Sequence, residues 1–294
     1  MINNSLAKTA ILTGLALIAF AANSVLCRLA LGNEAIDAAS FTVIRLLSGA
    51  IVLFLIIRYT QKNTELSTNS SWIASLMLFL YAITFSYAYI SLDTGTGALI
   101  LFGSVQLTMI LLSLISGTRL HYTEWAGVII AFTGFVYLIL PSITTPSSVG
   151  FLLMAVAGIA WGIYTLKGRG SQNPLMDTAY NFFRTIPLVI LLTIITISHA
   201  NYSSEGVLLA LLSGGITSGI GYTIWYIALG GLSAIQAAVL QLLVPVIAAL
   251  GGVIFVSEAI TVRLTISAAM VLGGILMVVL GKYYFTQYKL DAKT

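Results

Sequence analysis

The chain has 294 residues, of which 59% are hydrophobic and 7% are charged, and its mean hydropathy is +1.03. Soluble domains carry about 25% charged residues, so this composition excludes an ordinary soluble domain and indicates an integral membrane protein. In such a protein the net charge of +4 is informative only through the positions of the charged residues relative to the bilayer. No basic patch suits nucleic acid, and we expect none as a partner.

Long apolar runs divide the chain into ten predicted membrane-spanning helices, because about 20 residues cross the hydrocarbon core. Their expected bounds are 9–31, 37–58, 72–91, 95–116, 123–140, 149–168, 176–198, 206–228, 232–256 and 262–284. The first run has no small-residue cleavage site before Arg28, so we expect a retained span and not a signal peptide. The connections are short, which places all function among the helices.

Chemistry that needs thiolates or a catalytic cluster has no support in the sequence. Cys27 is the single cysteine, so we expect neither an intramolecular disulfide nor a thiolate-based metal site. His121 and His199 lie in connections, and the sequence holds no acid pair or nucleophile elbow. We therefore expect no enzyme, no metal and no cofactor.

Lysine and arginine residues are unevenly distributed between alternate connections. With the N-terminus inside, the cytoplasmic side receives Lys8, Arg58, Lys62, Arg119, Lys167, Arg169, Lys282, Lys289 and Lys293. Only Arg263 falls in an outer connection, and Arg28 lies near an outer helix end. The positive-inside rule then predicts that both termini are cytoplasmic. We expect the protein to lie in the cell inner (plasma) membrane.

The two halves of the chain repeat one another at a shift close to 138 residues. The matches are Arg45 with Arg184, Gly32 with Gly170, Tyr89 with Tyr226, and Gly134 with Gly274. Because five spans is an odd number, the two halves cross the membrane in opposite directions. We therefore predict two inverted five-helix repeats, residues 1–144 and 145–294, an architecture typical of secondary transporters.

These features together resemble the EamA family of the drug/metabolite transporter superfamily. They are the five-plus-five arrangement, an arginine in the second span of each half, the Tyr-Ile-x-Leu element, and Pro245 within QLLVPVIAALGG. The resemblance covers residues 9–284. It implies an all-α basket of ten helices around a central cavity that opens alternately to each side, and export of amino acids or other small metabolites. One departure is Thr108, where the family often has proline in the fourth span.

Polar and aromatic side chains within the spans are expected to face the bundle interior or a cavity. The candidate substrate-binding residues are Asn23, Tyr81, Phe85, Gln106, Trp161, Tyr164, Tyr222, Trp225 and Gln241. Asn23 and Trp161 occupy equivalent places in the repeat, and Tyr164 lies one turn beyond Trp161. Gln106 and Gln241 are preferred among the polar candidates, because an amide can bind either end of a zwitterionic amino acid. Helix packing remains the alternative role for all nine.

Arg45 and Arg184 lie well inside their spans, where a buried guanidinium has to find an anion or several carbonyl oxygens. One interpretation is capture of a substrate carboxylate. The other is structural, with each arginine bound to carbonyls at a helix end or to a loop acid such as Asp93. We favour the structural interpretation, because the arginine pair is symmetric and a substrate is not.

Small residues and prolines mark candidate hinges. Gly215 and Gly219 form a small-xxx-small pair that permits close helix approach in the eighth span. Pro187 and Pro245 are expected to kink spans seven and nine. Static packing and gating are both open as the role of these residues.

The positions of the acidic residues reduce the range of possible transport functions. All nine fall in connections or at span ends, namely Glu34, Asp37, Glu65, Asp93, Glu124, Asp177, Glu205, Glu258 and Asp291. Proton-coupled export of lipophilic cations, which uses an intramembrane carboxylate, is therefore disfavoured. We expect a secondary transporter that exports small metabolites such as amino acids; the alternative is a transporter of multiple drugs or vitamin-like aromatic compounds. The expected partners are a small-molecule substrate and the lipid bilayer, and the protein is expected to be a monomer or homodimer.

Overall fold

The structure is a computed structural model that describes residues 2–60, 71–115, 122–139, 147–168, 171–232 and 240–291. Several residues interpreted above lie outside these ranges, namely Lys62, Glu65, Arg119, His121, Arg169, Gly170 and Lys293.

The described chain is almost entirely helical. The first seven helices are α1 (Ile2–Gly32), α2 (Ala38–Thr60), α3 (Trp72–Tyr89), α4 (Thr94–Ile115), α5 (Tyr122–Ile139), α6 (Ser148–Gly168) and α7 (Pro174–Thr196). A 3₁₀ turn, Ile197–His199, follows α7. The eighth predicted span is one run composed of α8 (Ser204–Leu212), a π-helix (Ser213–Ile220) and α9 (Gly221–Leu229). The last two helices are α10 (Val244–Val256) and α11 (Val262–Asp291).

The helices have the length and surface of a membrane protein. Among the described residues, seven helical runs are long and apolar enough to cross a membrane, and three further apolar helices, Tyr122–Leu138, Val244–Val256 and Val262–Val278, are shorter. Large apolar side chains such as Phe54, Ile194 and Ile254 are exposed on the outside of the bundle. Helices that are apolar on both their buried and their exposed faces suit a lipid environment, and the chain is a helical multi-pass membrane protein.

Side-chain caps set the starts of α3 and α8. Ser71 Oγ accepts a hydrogen bond from the backbone N–H of Ala74 at 3.1 Å, and Ser203 Oγ accepts one from Gly206 at 3.1 Å. Each cap satisfies an N–H group that has no partner within its own helix. The starting residues of both helices therefore follow from a serine at the N-cap.

The connection after α1 pairs with the connection before α8. Ile36 and Tyr202 form an antiparallel bridge, and the Asp37 carboxylate accepts hydrogen bonds from the backbone N–H groups of Ser40 and Asn201, both at 2.9 Å. Burial raises the pKa of Asp37, but the hydrogen bonds from Ser40 and Asn201 outweigh it, so the pKa lies below its usual value. One acid thus caps α2 and joins the two halves of the chain.

The closest approach between α2 and the π-helix is made by glycines. A Cβ at Gly214 would overlap the carbonyl oxygen of Arg45 and Oγ of Ser48. A Cβ at Gly49 would overlap the ring of Phe182 and lie 3.0 Å from the carbonyl oxygen of Gly214. Side chains at either position would therefore push the helices apart.

Both glycines of the predicted pair also face α2. A Cβ at Gly215 would lie 3.0 Å from Val52 Cγ2, and one at Gly219 would lie 3.4 Å from the carbonyl oxygen of Gly49. The tightest contact is made by Gly214, next to this pair in the π-helix.

The two prolines have different positions. Pro187 lies inside α7, as predicted. Pro245 lies in the first turn of α10, and a turn at Leu242–Leu243 separates this helix from the helical residues Leu240 and Gln241. Proline is favoured at a helix start, where its missing N–H has no partner to lose. That Pro245 kinks the ninth span stays a prediction.

Helices from the two halves of the chain interleave. α6 packs against α3 and α4, and α1 packs against α9 and α10. α2 contacts α7 and the π-helix, and α3 also contacts α7. Further contacts between the halves are those of α4 with α10 and of α5 with α11. The middle of the bundle is therefore enclosed by α1, α2, α3, α6 and the π-helix with α9.

Candidate functional site

A small closed cavity lies at the middle of the bundle. Its volume is about 10 Å³, close to the space that one water molecule needs. The lining residues are Phe20, Asn23, Tyr81, Phe85, Leu101, Phe102, Trp161 and Tyr222. Five of the nine candidates chosen from the sequence thus surround one cavity, and that they bind a substrate stays a prediction.

Trp161 is the centre of the aromatic wall of this cavity. Its ring centroid lies 4.8 Å from that of Tyr81 and 4.6 Å from that of Tyr222. Phe20 meets it edge to face at 6.0 Å. Such tilted and edge-to-face arrangements are the favourable ones for aromatic rings. The rings contact one another directly, which is why the cavity is closed.

Asn23 connects three helices beside the cavity. Its Oδ1 accepts hydrogen bonds from Ser213 Oγ at 2.7 Å and from Thr217 Oγ1 at 3.1 Å, both on the π-helix. Its Nδ2 donates to the hydroxyl of Tyr81 on α3 at 3.3 Å. The amide therefore orients the π-helix and Tyr81 relative to α1.

Arg45 is held by hydroxyl groups. Its Nη2 donates to the hydroxyls of Tyr81 and Tyr222, both at 3.0 Å, and its Nε donates to Ser218 Oγ at 3.2 Å. Its guanidinium carbon lies 4.9 Å from the ring centroid of Phe85. Arg45 is only 1% exposed, and its Nη1 has no hydrogen-bond partner in the structure. A buried guanidinium held only by neutral groups carries an uncompensated charge.

The predicted surroundings of Arg45 need correction, whereas the predicted partners of Arg184 stay a prediction. Arg45 binds hydroxyls and not helix-end carbonyls, and Asp93 lies 3.5 Å from Arg28 instead, because Asp93 follows α3 at the end where Arg28 lies. Arg184 is half-buried, with its guanidinium carbon 5.7 Å from the ring centroid of Trp72. The repeat therefore places its two arginines in different environments.

Two further candidates lie directly behind the cavity wall. The ring centroid of Tyr164 is 5.3 Å from that of Trp161, and the ring of Trp225 is 5.6 Å from Phe20. Both side chains are buried. They support the lining rings in this conformation without lining the cavity themselves.

Gln106 and Gln241 lie outside the cavity. Both are buried, at 2% and 3% exposure, in α4 and just before α10. Gln241 Oε1 has no hydrogen-bond partner in the structure. A direct substrate contact at either amide stays a prediction.

The sequence interpretation missed several neighbours of the site. Phe20 lies three residues before Asn23, which puts both on one face of α1, and this spacing could have identified it. Ser213 and Thr217 are polar positions four residues apart in an apolar run, but only the structure shows that both bind Asn23.

A second polar cluster joins helix ends away from the cavity. Arg28 Nε lies 3.0 Å from Glu258 Oε1, and Nη2 lies 3.5 Å from Asp93 Oδ1. Arg28 Nη1 donates to the carbonyl oxygen of Tyr89 at 3.2 Å, and Glu258 Oε2 accepts a hydrogen bond from the backbone N–H of Thr94 at 2.8 Å. The cluster ties α1 to the α3–α4 connection and to the connection before α11.

Comparison with known proteins identifies relatives along most of the chain. Residues 148–280 match the EamA-like transporter family. The uncharacterized protein PA1977 of Pseudomonas aeruginosa is 45% identical over 271 residues, which are 92% of this chain and 94% of that protein. The uncharacterized transporter YoaV of Bacillus subtilis is 21% identical, with 81% of this chain and 85% of YoaV aligned.

A more distant relative carries a functional name. A probable amino-acid metabolite efflux pump of Escherichia coli is 24% identical over 229 residues, which are 70% of this chain and 77% of that protein. A solved crystal structure with 20% identity superposes with a TM-score of 0.60 and covers 91% of this chain and 98% of its own. At that identity the likeness concerns the fold alone.

Proposed function

The chain belongs to the EamA-like transporter family, and we propose that it is a secondary transporter that exports small metabolites such as amino acids by alternating access. The relative named as a probable amino-acid metabolite efflux pump supports this substrate class. The observation that carries the proposal is the closed cavity at the middle of the bundle, lined by aromatic rings and Asn23.

The contacts between helices support two inverted five-helix repeats, residues 1–144 and 145–294. Exchanging the halves relates α1 to α6, α2 to α7, α3 to the α8–α9 run, α4 to α10 and α5 to α11. Under this exchange the contact of α3 with α6 becomes that of α9 with α1, and the contact of α4 with α6 becomes that of α10 with α1. The pairs α2 with α7, α4 with α10 and α5 with α11 are related to themselves. A set of contacts that is unchanged by the exchange is the expected result of a two-fold relation in the membrane plane.

The proposed topology has ten spans with both termini in the cytoplasm, in the cell inner membrane. The seven long helices and the three shorter apolar helices together make up the ten proposed spans. The unequal distribution of lysine and arginine indicates which ends of the spans face the cytoplasm. In this arrangement the substrate site lies where the two halves meet, and the Arg28 cluster lies at the outer ends of the helices. The cavity is closed, so exchange of substrate requires the aromatic rings around Trp161 to part.

Flux in proteoliposomes tests the proposal. A carrier gives saturable uptake of labelled amino acids, and unlabelled amino acid on the opposite side accelerates that uptake. Protein-free liposomes are the control. Flux that rises linearly with concentration, without acceleration by counterflow, would instead indicate an open pore.

The second candidate is a transporter of multiple drugs or vitamin-like aromatic compounds. The aromatic wall formed by Phe20, Tyr81, Trp161 and Tyr222 favours it, because flat rings can stack on such a surface. Cells that produce the protein would be grown with toxic amino-acid analogues and with aromatic cationic drugs. Resistance to the drugs alone would replace the first candidate with the second.

A further inference from the structure

Arg45 has no acidic partner among the described residues. The acids Asp93 and Glu258 pair with Arg28 and not with Arg45. Arg45 lies in the interior at 1% exposure. A guanidinium stays protonated in proteins, so its positive charge is always present and an anion is the group that would compensate it.

The hydrogen-bond acceptors around this arginine are neutral hydroxyl groups, and one of its nitrogen atoms has no acceptor. The Tyr81 hydroxyl oxygen has two lone pairs. Three donors lie within hydrogen-bond distance of it: Arg45 Nη2 at 3.0 Å, Asn23 Nδ2 at 3.3 Å and the Tyr222 hydroxyl at 3.4 Å. Arg45 Nη1 is buried and has no partner. An acceptor with negative charge could bind this Nη1 group and would compensate the charge of the guanidinium.

The cluster borders the central cavity. Tyr81, Phe85 and Tyr222 all line it, and the guanidinium carbon of Arg45 lies 5.1 and 4.9 Å from the ring centroids of Tyr81 and Phe85. Trp161 stands against the two tyrosine rings at 4.8 and 4.6 Å. An apolar surface and a donor-rich surface therefore meet at one place.

We propose that Arg45, together with the hydroxyls of Tyr81 and Tyr222, binds the carboxylate of the transported substrate, whose apolar body lies against Trp161. This inference rests on the transport function proposed above and specifies the substrate class as small apolar or aromatic monocarboxylates. A pair of arginine and carboxylate, in which both partners are charged, is stronger than the hydrogen bonds from Arg45 to hydroxyls, in which only the donor is charged. The two tyrosine hydroxyls can donate to the same carboxylate, and no fixed carboxylate competes with it among the described neighbours of Arg45.

The symmetry of the arginine pair does not oppose this site. Neither arginine lines the cavity itself, but Arg45 contacts the lining residues Tyr81, Phe85 and Tyr222, whereas Arg184, which repeats Arg45 in the second half, lies over Trp72, which is not one of them. A substrate with one acidic end is therefore proposed to meet Arg45 alone.

The test compares three acids with their amides in proteoliposomes that contain the full chain. The pairs are L-phenylalanine with L-phenylalaninamide, L-leucine with L-leucinamide, and 3-phenylpropionate with 3-phenylpropionamide. We expect saturable transport of at least one acid, with its amide transported slower by about tenfold or more, because the amide carries no negative charge. Arg45→Gln is expected to lower transport of the acid by a similar factor. Arg263→Gln is the matched control, because Arg263 also stacks on a tyrosine ring, at 5.4 Å from Tyr137, but lies outside the cavity.

Thermal unfolding in detergent provides a readout that needs no variant. The acid raises the unfolding midpoint of the unmodified protein and the amide does not, because only a ligand that binds the folded state stabilises it. If Arg45→Gln does not fold, the carboxylate site is tested by the thermal stabilisation of the unmodified protein with acid and with amide. Equal transport and equal stabilisation by acid and amide, or an unchanged preference for the acid in Arg45→Gln, would overturn the carboxylate site and leave the transporter proposal standing. Absence of saturable transport for all six probes would overturn the proposed amino-acid export and this site with it.

Discussion

Arg28 Nε and Glu258 Oε1 lie 3.0 Å apart although 230 positions separate the two residues in the chain. The side chains are 20% and 12% exposed, so the pair is partly shielded from solvent. Glu258 Oε2 also accepts the backbone N–H of Thr94 at 2.8 Å. One carboxylate thus joins α1, the start of α4 and the connection before α11.

Replacing this carboxylate is expected to destabilise the folded protein. Glu258→Gln removes the charge opposite Arg28, and a hydrogen bond to a charged group contributes about 2 kcal/mol. The midpoint of thermal unfolding in detergent should fall, and added salt should reduce the difference from the unmodified protein. Glu205→Gln, at an exposed acid in the first turn of α8, is the control. An equal effect of the two substitutions would show that the ion pair contributes nothing specific.

The carboxylate of Asp37 should make stability depend on acid pH. Its pKa in the folded state lies below the usual value of about 3.9, so the stabilisation is complete above that value and is lost as the pH falls through the folded-state pKa. We expect the unfolding midpoint to drop between pH 7 and about pH 3. Asp37→Asn should lower the midpoint at pH 7 and shrink that drop.

Glu34→Gln is the matched control for Asp37, because Glu34 is an exposed acid in the same connection. Its variant should keep the pH dependence of the unmodified protein. A pH dependence that is the same in Asp37→Asn would contradict the assignment.

Adding one methyl group at Gly214 should separate α2 from the π-helix. The new Cβ would overlap the carbonyl oxygen of Arg45, which cannot rotate away. Overpacking of this kind costs about 1–3 kcal/mol, so Gly214→Ala should lower the unfolding midpoint. Gly273→Ala in α11 adds the same methyl group where no atom lies within 4 Å, and it should leave stability unchanged or raise it by up to about 1 kcal/mol. Normal stability of Gly214→Ala would show that the two helices can move apart freely.

Shortening Trp161 should change transport more than folding. Trp161→Ala removes the ring that contacts both Tyr81 and Tyr222, and we expect the apparent KM of the best substrate to rise about tenfold, which is about 1.4 kcal/mol. Protein yield and apparent KM would be measured together. Trp125→Ala, on the half-exposed outer face of α5, is the control. A loss of yield with unchanged KM would assign Trp161 to packing.

The lengths of the apolar runs predicted most of the helix bounds within a few residues. The thickness of the bilayer sets the length of a span, and backbone groups in lipid must form their hydrogen bonds within a helix. The predicted bounds 72–91 and 149–168 compare with Trp72–Tyr89 and Ser148–Gly168 in the structure. The break before Pro245 was not predicted, because a proline can either kink a helix or start one, and its own residue type does not distinguish the two.

The aromatic residues of the candidate site and Asn23 were accessible from the sequence, and the hydrogen-bond partners of Arg45 were not. Tyr81, Phe85, Trp161, Tyr222 and Asn23 are aromatic or polar positions within apolar spans, and all five line the cavity. The partners of Arg45 depend on how α2 meets the π-helix, and no local pattern encodes that crossing. For the same reason Asp93 was offered as one alternative partner of the interior arginines, although it pairs with Arg28.

The π-helix Ser213–Ile220 sets the rotational phase of everything that follows it in the same run. An α-helix advances by about 100° per residue, so a segment that bonds to the fifth residue instead of the fourth leaves the next helix rotated relative to the one before. Ser213 faces Asn23 before that change, and Tyr222 faces Arg45 after it. If the same number of residues bonded as a regular α-helix, Tyr222 would turn away from the arginine while α8 kept its place, so the hydrogen-bond pattern of this segment, as well as its composition, is part of what assembles the cavity.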